Sequence, residues 1–239
     1  MERRYSFMEL YNLAYDNSGK LNIKLTREEI ESIMDKSYEH FGFLCLVLKD
    51  RGEDEDFKLI EKFINDSDHR KCYLALKNIL AFEKGKEKYA HLVGERLKND
   101  DIIILRGALE LVSQYKLIQS DNRILEIYEK YIDKNISSSC VCALRYNPNF
   151  EENYERIVAL YRRAPKQNKE CFAKLLTDLA DESRFDELFA LFAEDEYRKV
   201  RIGAARLAIK HERYELLNRF INEKDGHIRK LALKYFNNF

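Results

Sequence analysis

Apolar residues return at helical spacing along most of the 239-residue chain. The clearest stretch runs from Glu194 to His211, where an acidic turn leads into a predicted helix. One face of that helix carries Val200, Ala204, Leu207 and Ala208. This spacing is the apolar stripe of an α-helix that packs on a core. Gly203 lies beside the stripe, and its small size predicts that a neighbouring helix approaches closely there.

The same pattern recurs from about residue 52 as pairs of helices joined by short polar turns. The predicted first helices cover residues 57–64, 88–97, 123–132, 153–161, 185–192 and 213–221. The predicted second helices align on one alanine each, namely Ala75, Ala108, Ala143, Ala173, Ala204 and Ala232. Successive alanines are 33, 35, 30, 31 and 28 residues apart. A period of this length is typical of an array of stacked helical repeats.

We therefore predict an all-α protein in which residues 51–239 form one continuous domain. The helical pairs are predicted at about residues 52–82, 85–116, 120–147, 149–181, 182–211 and 212–239. Residues 1–50 are predicted to form an N-terminal helical cap that is not a clean repeat. In this cap, Thr26 and Glu29 have the spacing of a capping box. The segment 41–48, FGFLCLVL, is apolar on all sides and predicts burial.

Helix starts and stops support the pairing but are not uniform. Asp68, Asp101 and Asp225 each lie seven residues before their alanine, where an aspartate can cap the second helix. The same position holds Ile136, Lys166 and Tyr197 in the other three pairs. The third pair is the weakest, because its second helix is rich in serine and stops at residues 147–149, Asn-Pro-Asn. A short helix with a tight turn and a local bend that shapes a binding site both fit this pattern.

The sequence of the second helices resembles a known repeat family. Residues 200–205, VRIGAA, follow an acidic turn, and residues 228–232 read IRKLA. Both segments resemble the second helix of HEAT repeats, in which an acidic turn precedes Val-Arg and two small residues. The resemblance implies a right-handed α-α superhelix, a HEAT-like α-solenoid of about six pairs, whose second helices line a concave face. The arginine position holds Cys72, Leu105, Cys140 and Glu170 in the earlier pairs, which counts against a continuous Asp–Arg ladder.

Composition and charge narrow the function classes. Lys and Arg total 42, and Asp and Glu also total 42, so the formal net charge is zero. A nucleic-acid binder usually carries a basic excess, so nucleic acid is an unlikely partner, although the balance could conceal a local patch. No apolar stretch reaches 18 residues, so no membrane span is expected. Five cysteines without a CxxC motif predict reduced thiols and a cytoplasmic location.

No motif of the chain predicts catalysis. Its five histidines form no metal-binding motif, and no phosphate-binding loop or nucleophile elbow occurs. Acidic pairs such as residues 53–56 and 194–196 fall in turns before helices, where we interpret them as capping and solubilising charges. Cys140 is interpreted as a core residue. We therefore predict a protein that is not an enzyme and has no cofactor, metal site or catalytic residue.

Two sets of charged residues are candidates for binding. The densest basic cluster, Arg162, Arg163, Lys166 and Lys169, fits a solvated turn or a contact with phosphate or an acidic partner. A mixed-charge ridge lies beside the anchor alanines, and it is either an ordinary solvated face or a partner-binding surface. Its residues are Tyr73, Lys77, Arg106, Glu110, Arg145, Lys174, Arg198, Arg206 and Lys230.

The leading hypothesis is a non-catalytic scaffold or adaptor that holds a protein or peptide on the concave face. An assembly chaperone and an immunity protein that inhibits a toxin belong to the same class. The alternative is a HEAT-like DNA glycosylase acting on alkylated bases, but that family is basic and uses tryptophan, which this chain lacks. A third hypothesis is a HEAT-like protein of the lyase or phycobilisome type that handles a chromophore. The oligomeric state stays open, because residues 231–239 end on aromatic side chains.

Overall fold

The computed structural model describes residues 5–236 except 37, 120, 133–135 and 147–148. For residue 236 it describes the backbone alone. Over these residues every regular element is a helix, and the sole extended pairing is an isolated bridge between Tyr15 and Leu21. The all-α prediction is confirmed. The chain folds into two compact parts, Met1–Arg96 and Leu97–Phe239. We call them the N-terminal body and the C-terminal body.

The described residues of the N-terminal body form six helices. They are α1 (Phe7–Ala14), α2 (Arg27–Lys36), α3 (Tyr38–Arg51), α4 (Asp54–Glu61), α5 (His69–Ile79) and α6 (Glu83–Arg96). The predicted capping box is present before α2, because the Glu29 N–H donates to Thr26 Oγ1 at 3.2 Å and the Thr26 N–H donates to Glu29 Oε2 at 2.8 Å. These two bonds satisfy backbone donors that a helix start leaves unpaired.

Helix α3 occupies the centre of this body. It packs side by side with α5 and also contacts α2 and α4. The segment 41–48 within it is mostly buried, as its apolar sequence predicts, but Leu46 remains 39% exposed. Helices α2 and α3 thus stack on α4 and α5 as one helical pair stacks on the next, although the sequence period becomes visible only from residue 52.

One acidic residue of the N-terminal body departs in part from its sequence interpretation. Asp56 does act as a cap, because it accepts a hydrogen bond from the Glu53 N–H at 3.3 Å. It is not a solvated charge, however, because its side chain is fully buried between Arg27 and Arg51. It accepts hydrogen bonds from Arg51 Nε at 2.6 Å and Arg27 Nε at 3.1 Å. Burial opposes ionisation of Asp56, but the bonds from the two arginines outweigh it and lower the pKa of this carboxyl. Asp56 therefore joins α2, α3 and α4.

The C-terminal body continues the alternation of first and second helices. Its α-helices are α7 (Ile102–Tyr115), α8 (Asp121–Lys130), α9 (Ser137–Leu144), α10 (Phe150–Arg163), α11 (Lys166–Leu179), α12 (Phe185–Ala193), α13 (Arg198–Lys210) and α14 (Gly226–Phe236). In the described part of this body, 3₁₀ helices cover Glu182–Arg184 and Tyr214–Phe220.

The predicted helix at residues 213–221 is therefore a 3₁₀ helix over Tyr214–Phe220. A 3₁₀ helix rises about 2.0 Å per residue against about 1.5 Å in an α-helix. Seven residues consequently cover the length of about nine α-helical residues. This geometry suits the shortest repeat in the chain, the 28 residues that separate Ala204 from Ala232.

The second helices of the C-terminal body form one layer. Helix α9 packs on α7 and α11, and α13 packs on α11 and α14. The neighbours run parallel, because α9 and α11 are joined near their starts by Asn168 and Ser137 (Nδ2 to Oγ, 2.6 Å) and near their ends by Arg145 and Asp178. Such a layer fits an α-solenoid in general form.

The six anchor alanines are buried, as the repeat pattern predicts. A Cβ added at Gly203 would lie 3.4 Å from the Cβ of Ala173, so α11 and α13 meet at small residues. The three aspartate caps are confirmed: Asp68, Asp101 and Asp225 accept from backbone N–H groups at 2.9, 2.7 and 2.9 Å respectively. Helix α9 is short, with eight residues, and the residues Asn147 and Pro148 lie outside the described part of the chain.

Among the described residues, no helix combines the length and the apolar character needed to cross a membrane.

Candidate partner-binding surface

The nine candidate residues divide between the two bodies. Tyr73 and Lys77 lie on α5 of the N-terminal body, where both are half-buried. The other seven belong to the second helices of the C-terminal body. They are Arg106 and Glu110 on α7, Arg145 at the end of α9, Lys174 on α11, Arg198 and Arg206 on α13, and Lys230 on α14.

Helix α11 shows how the exposed surface of the layer is built. It buries Phe172, Ala173, Leu175 and Leu176 against its neighbours. The opposite side is left to residues spaced three or four apart, which form one stripe along the helix. The members of this stripe are Gln167, Glu170, Cys171, Lys174 and Asp178.

The neighbouring helices align their own stripes beside this one. Lys199 of α13 donates to Glu170 Oε2 at 2.7 Å, and Lys210 donates to the Thr177 carbonyl at 2.8 Å. These two contacts fix the register, so Arg206 lies beside the stretch from Lys174 to Asp178. We call the aligned stripes the open face. Its central part consists of Cys142 and Arg145 of α9, the α11 stripe, and Lys199, Ile202 and Arg206 of α13. The flanking helices add Arg106 and Glu110 of α7 and Lys230 of α14.

Positive charge is in excess on the open face. Each of its carboxylates is paired: Glu170 with Lys199 at 2.7 Å, Asp178 with Arg145, and Glu110 with Arg106 at 3.7 Å. By contrast, the exposed side chains of Lys174, Arg206 and Lys230 form no ion pair with any described residue. Because the pairs cancel one another, these three cations determine the charge of the surface.

A second line of charges follows the turn side of the same helices. Asp195, whose side chain is 6% exposed, accepts from Tyr161 Oη at 2.6 Å and Lys169 Nζ at 2.8 Å. Arg201 donates to both carboxylate oxygens of Glu223 at 3.0 and 3.1 Å. We call this line the turn row; it consists of Tyr161, Lys169, Asp195, Arg198, Arg201, Glu223 and Asp225.

The turn row joins successive helical pairs. Burial opposes ionisation of Asp195, but hydrogen bonds from Lys169, Tyr161 and the Tyr197 N–H outweigh it and lower the pKa of the carboxyl. Burial, together with Asp195, raises the pKa of Tyr161. Arg198, a candidate binding residue, belongs to this row and pairs with Asp225 at 2.8 Å.

The basic cluster at residues 162–169 is divided between different environments. Lys169 is part of the turn row, and Lys166 Nζ lies 5.1 Å from the centre of the Tyr197 ring. Arg162 and Arg163 are exposed at the end of α10, which is a first helix. The four residues therefore do not form a single patch on the open face.

Two thiols on the open face were not anticipated from the sequence. Cys142 is exposed on α9, and Cys171 is half-buried on the adjacent α11. Burial raises the pKa of Cys171 and the nearby Cys142 adds to this effect, while Lys174 and Lys199 oppose it. The two cysteines lie 29 residues apart, about one repeat, and that spacing was the signal for their proximity. No group of three or more residues suited to a metal ion occurs in the described part of the chain.

The N-terminal body carries a cluster of aromatic side chains between the α1 region and α3. Phe7, Tyr11 and Tyr15 of the α1 region gather around Phe43 of α3, with ring centres 5.1 to 6.3 Å from that of Phe43. Phe7 is 51% exposed. The cluster holds the α1 region against α3 through aromatic contacts.

Searches against protein-family models and against curated proteins return no match for this chain. Inferences about its function consequently depend on the contacts and charges described above.

Proposed function

We propose that the C-terminal body is a non-catalytic scaffold or adaptor that binds a protein or peptide on its open face. The observation that carries this proposal is the contrast between Lys174, Arg206 and Lys230, which have no ion pair within the described chain, and the turn row, whose charges are paired. The fold does not need these three cations, whereas a partner with complementary charge would.

The helical layer supports the same proposal. Parallel second helices with a buried alanine in each are expected of a HEAT-like, right-handed α-solenoid of about six pairs, the architecture that the sequence resemblance implies. Solenoids of this kind present long surfaces to partners, but a fold alone does not define a function. An adaptor, an assembly chaperone and a toxin-inhibiting immunity protein would each use such a surface. Five free cysteines favour a reducing compartment such as the cytoplasm.

The experiment compares partner capture by two charge-reversed variants in extracts of the native cell. Arg106→Glu with Arg206→Glu changes the open face and its flank, while Arg162→Glu with Arg163→Glu makes the same charge change at the exposed end of α10. The expected result is that the wild-type chain and the α10 variant capture the same protein, which mass spectrometry identifies, and that the open-face variant does not.

Two outcomes would contradict the proposal. Equal capture by both variants would mean that the partner binds elsewhere. A gel shift of DNA at low salt and micromolar protein, abolished by the open-face variant, would favour the glycosylase alternative instead.

A further inference from the structure

We infer that the segment bound on the open face is acidic, with carboxylates placed at about every third residue of an extended chain. This inference rests on the proposed function, because it names the chemistry of the partner at the same surface.

The charge of the surface gives the sign of the partner. Lys174 and Arg206 lie next to each other on α11 and α13, and Lys230 lies on the following helix, α14. The intervening carboxylates are already paired within the chain. An occupant must therefore supply negative charge to the three cations, since a neutral or basic segment would leave them without a partner while it excluded water.

The spacing of the helices gives the pattern of the segment. Neighbouring packed helices lie roughly 10 Å apart, so a chain that crosses the layer meets one cation roughly every 10 Å. An extended chain advances about 3.3 Å per residue, so three residues cover that distance. The half-exposed Ile202 and the exposed Leu233 offer apolar contact for residues between the carboxylates.

An acidic protein segment fits this surface better than a nucleic acid. Among the described residues the open face has three cations without a paired carboxylate, and the ion pairs of Glu170 and Asp178 on either side of Lys174 interrupt the continuous basic groove that tracks a phosphate backbone. In addition, the residues that α11 and α13 contribute to the open face include no aromatic side chain on which a base could stack. Recognition of single-stranded nucleic acid usually combines a basic groove with such aromatic platforms.

A thiol on the open face can report whether a ligand covers that surface. Cys142 is exposed on α9 beside the α11 stripe, whereas Cys45, Cys72 and Cys140 are buried. In a Cys171→Ser background, Cys142 is the accessible thiol, so its rate of alkylation measures whether the open face is covered.

The test uses a fluorescein-labelled peptide of about 16 residues, with Glu at every third position and Ala or Ser between. The peptide length is chosen from the rise per residue of an extended chain. The comparison ligands are a matched peptide with Lys in place of Glu and an oligothymidylate of about 20 nucleotides, which is longer than the single-strand site sizes of about 4–16 nucleotides per fold. Fluorescence anisotropy gives affinity, and mass spectrometry gives the rate of Cys142 alkylation by iodoacetamide.

The expected result has three parts. The Glu peptide binds, and binding weakens as salt is raised because the contacts are between exposed charges. It slows the alkylation of Cys142. Lys174→Glu with Arg206→Glu weakens binding by about ten-fold or more, as expected when complementary charges become repulsive, whereas Lys174→Arg and Arg162→Glu with Arg163→Glu leave it unchanged.

The inference is overturned if the Lys peptide or the oligothymidylate binds more tightly than the Glu peptide. It is also overturned if Lys174→Glu with Arg206→Glu binds the Glu peptide as well as the wild type does. These failures are distinct from failure of the proposed function. If the native partner is captured through the open face but contains no acidic segment there, only the acidic pattern is wrong. If substitutions on the open face do not affect capture, both proposals are wrong.

Discussion

The turn row and the open face both include cations of α11 and α13, yet these charges serve different ends. On α11, Lys169 belongs to the turn row and pairs with the buried Asp195, whereas Lys174, little more than one turn later, has no ion pair among the described residues. On α13, Arg201 donates hydrogen bonds to Glu223 and to backbone carbonyls, whereas Arg206 is exposed without a paired carboxylate in the described chain. Each comparison holds the residue type and the helix constant, while the position along the helix and the surroundings differ.

This difference separates charges that stabilise the fold from charges that are available to a partner. A buried carboxylate such as Asp195 is costly to leave without its hydrogen bonds, so its removal should destabilise the protein. An exposed cation such as Arg206 contributes little to stability, so it can be replaced without unfolding the protein. Matched substitutions in the two rows can test this distinction.

The largest effect is expected for Asp195→Ala. This change removes the acceptor for Tyr161 Oη and Lys169 Nζ, both of which lie in partly buried surroundings. We expect the free energy of unfolding to fall by roughly 3 kcal/mol, the scale for breaking a buried pair. Urea unfolding followed by circular dichroism measures the change. Asp178→Ala on the open face is the matched control and should change stability by less than about 0.5 kcal/mol; equal losses would contradict the distinction.

The next effect concerns two arginines of α13. Arg201→Met removes donors to Glu223 and to the carbonyl of Asp195, 2.9 Å from the Arg201 Nη1 atom, at the end of α12. We expect a loss of about 2 kcal/mol, since a partly buried carboxylate is left without its partner. Arg206→Met should leave the unfolding curve within about 0.5 kcal/mol of the wild type. A larger loss for Arg206→Met than for Arg201→Met would reverse the assignment.

The pH dependence of the Asp195→Asn variant gives a smaller but more specific effect. The pKa of Asp195 lies below its ordinary value of about 3.9, so ionised Asp195 stabilises the fold above that pH. This contribution is lost as the pH falls through the lowered pKa of the folded state. The stability difference between the wild type and Asp195→Asn should be constant near neutrality and shrink below about pH 4. A difference that stays constant on acidification would contradict the lowered pKa.

The smallest effect on stability is expected for Lys174→Glu with Arg206→Glu. Both side chains are exposed and have no ion pair to lose within the described chain. Far-UV circular dichroism and the urea midpoint should therefore match those of the wild type within about 0.5 kcal/mol. If this variant unfolds readily, the two cations stabilise the fold, and this would contradict the claim that they are available to a partner.

Sequence analysis predicted the parts of the fold that depend on local pattern. Helix periodicity and the recurring small residue identified the anchor alanines, and the caps at Asp68, Asp101 and Asp225 followed from their position before each helix. It did not predict the 3₁₀ helix at Tyr214–Phe220, because the apolar spacing of that segment fits an α-helix equally well.

The roles of individual charges could not be predicted in the same way. Asp195 lies in an acidic turn that resembles a solvated cap, and its partners Tyr161 and Lys169 are 34 and 26 residues earlier. Their meeting depends on the register between successive helical pairs, which no local pattern encodes. For the same reason Arg198 appeared equivalent to Arg206, although the structure pairs only Arg198 with a described carboxylate, that of Asp225.

The most direct test of the open face as a binding surface is the alkylation rate of Cys142 in native cell extract compared with that in purified protein, both in the Cys171→Ser background. We predict slower alkylation in extract at low salt, and recovery of the purified rate at about 0.5 M NaCl, where screening acts within roughly 4 Å. Lys174→Glu with Arg206→Glu should also restore that rate. Equal rates in extract and in purified protein, with no dependence on salt or on these substitutions, would contradict the account.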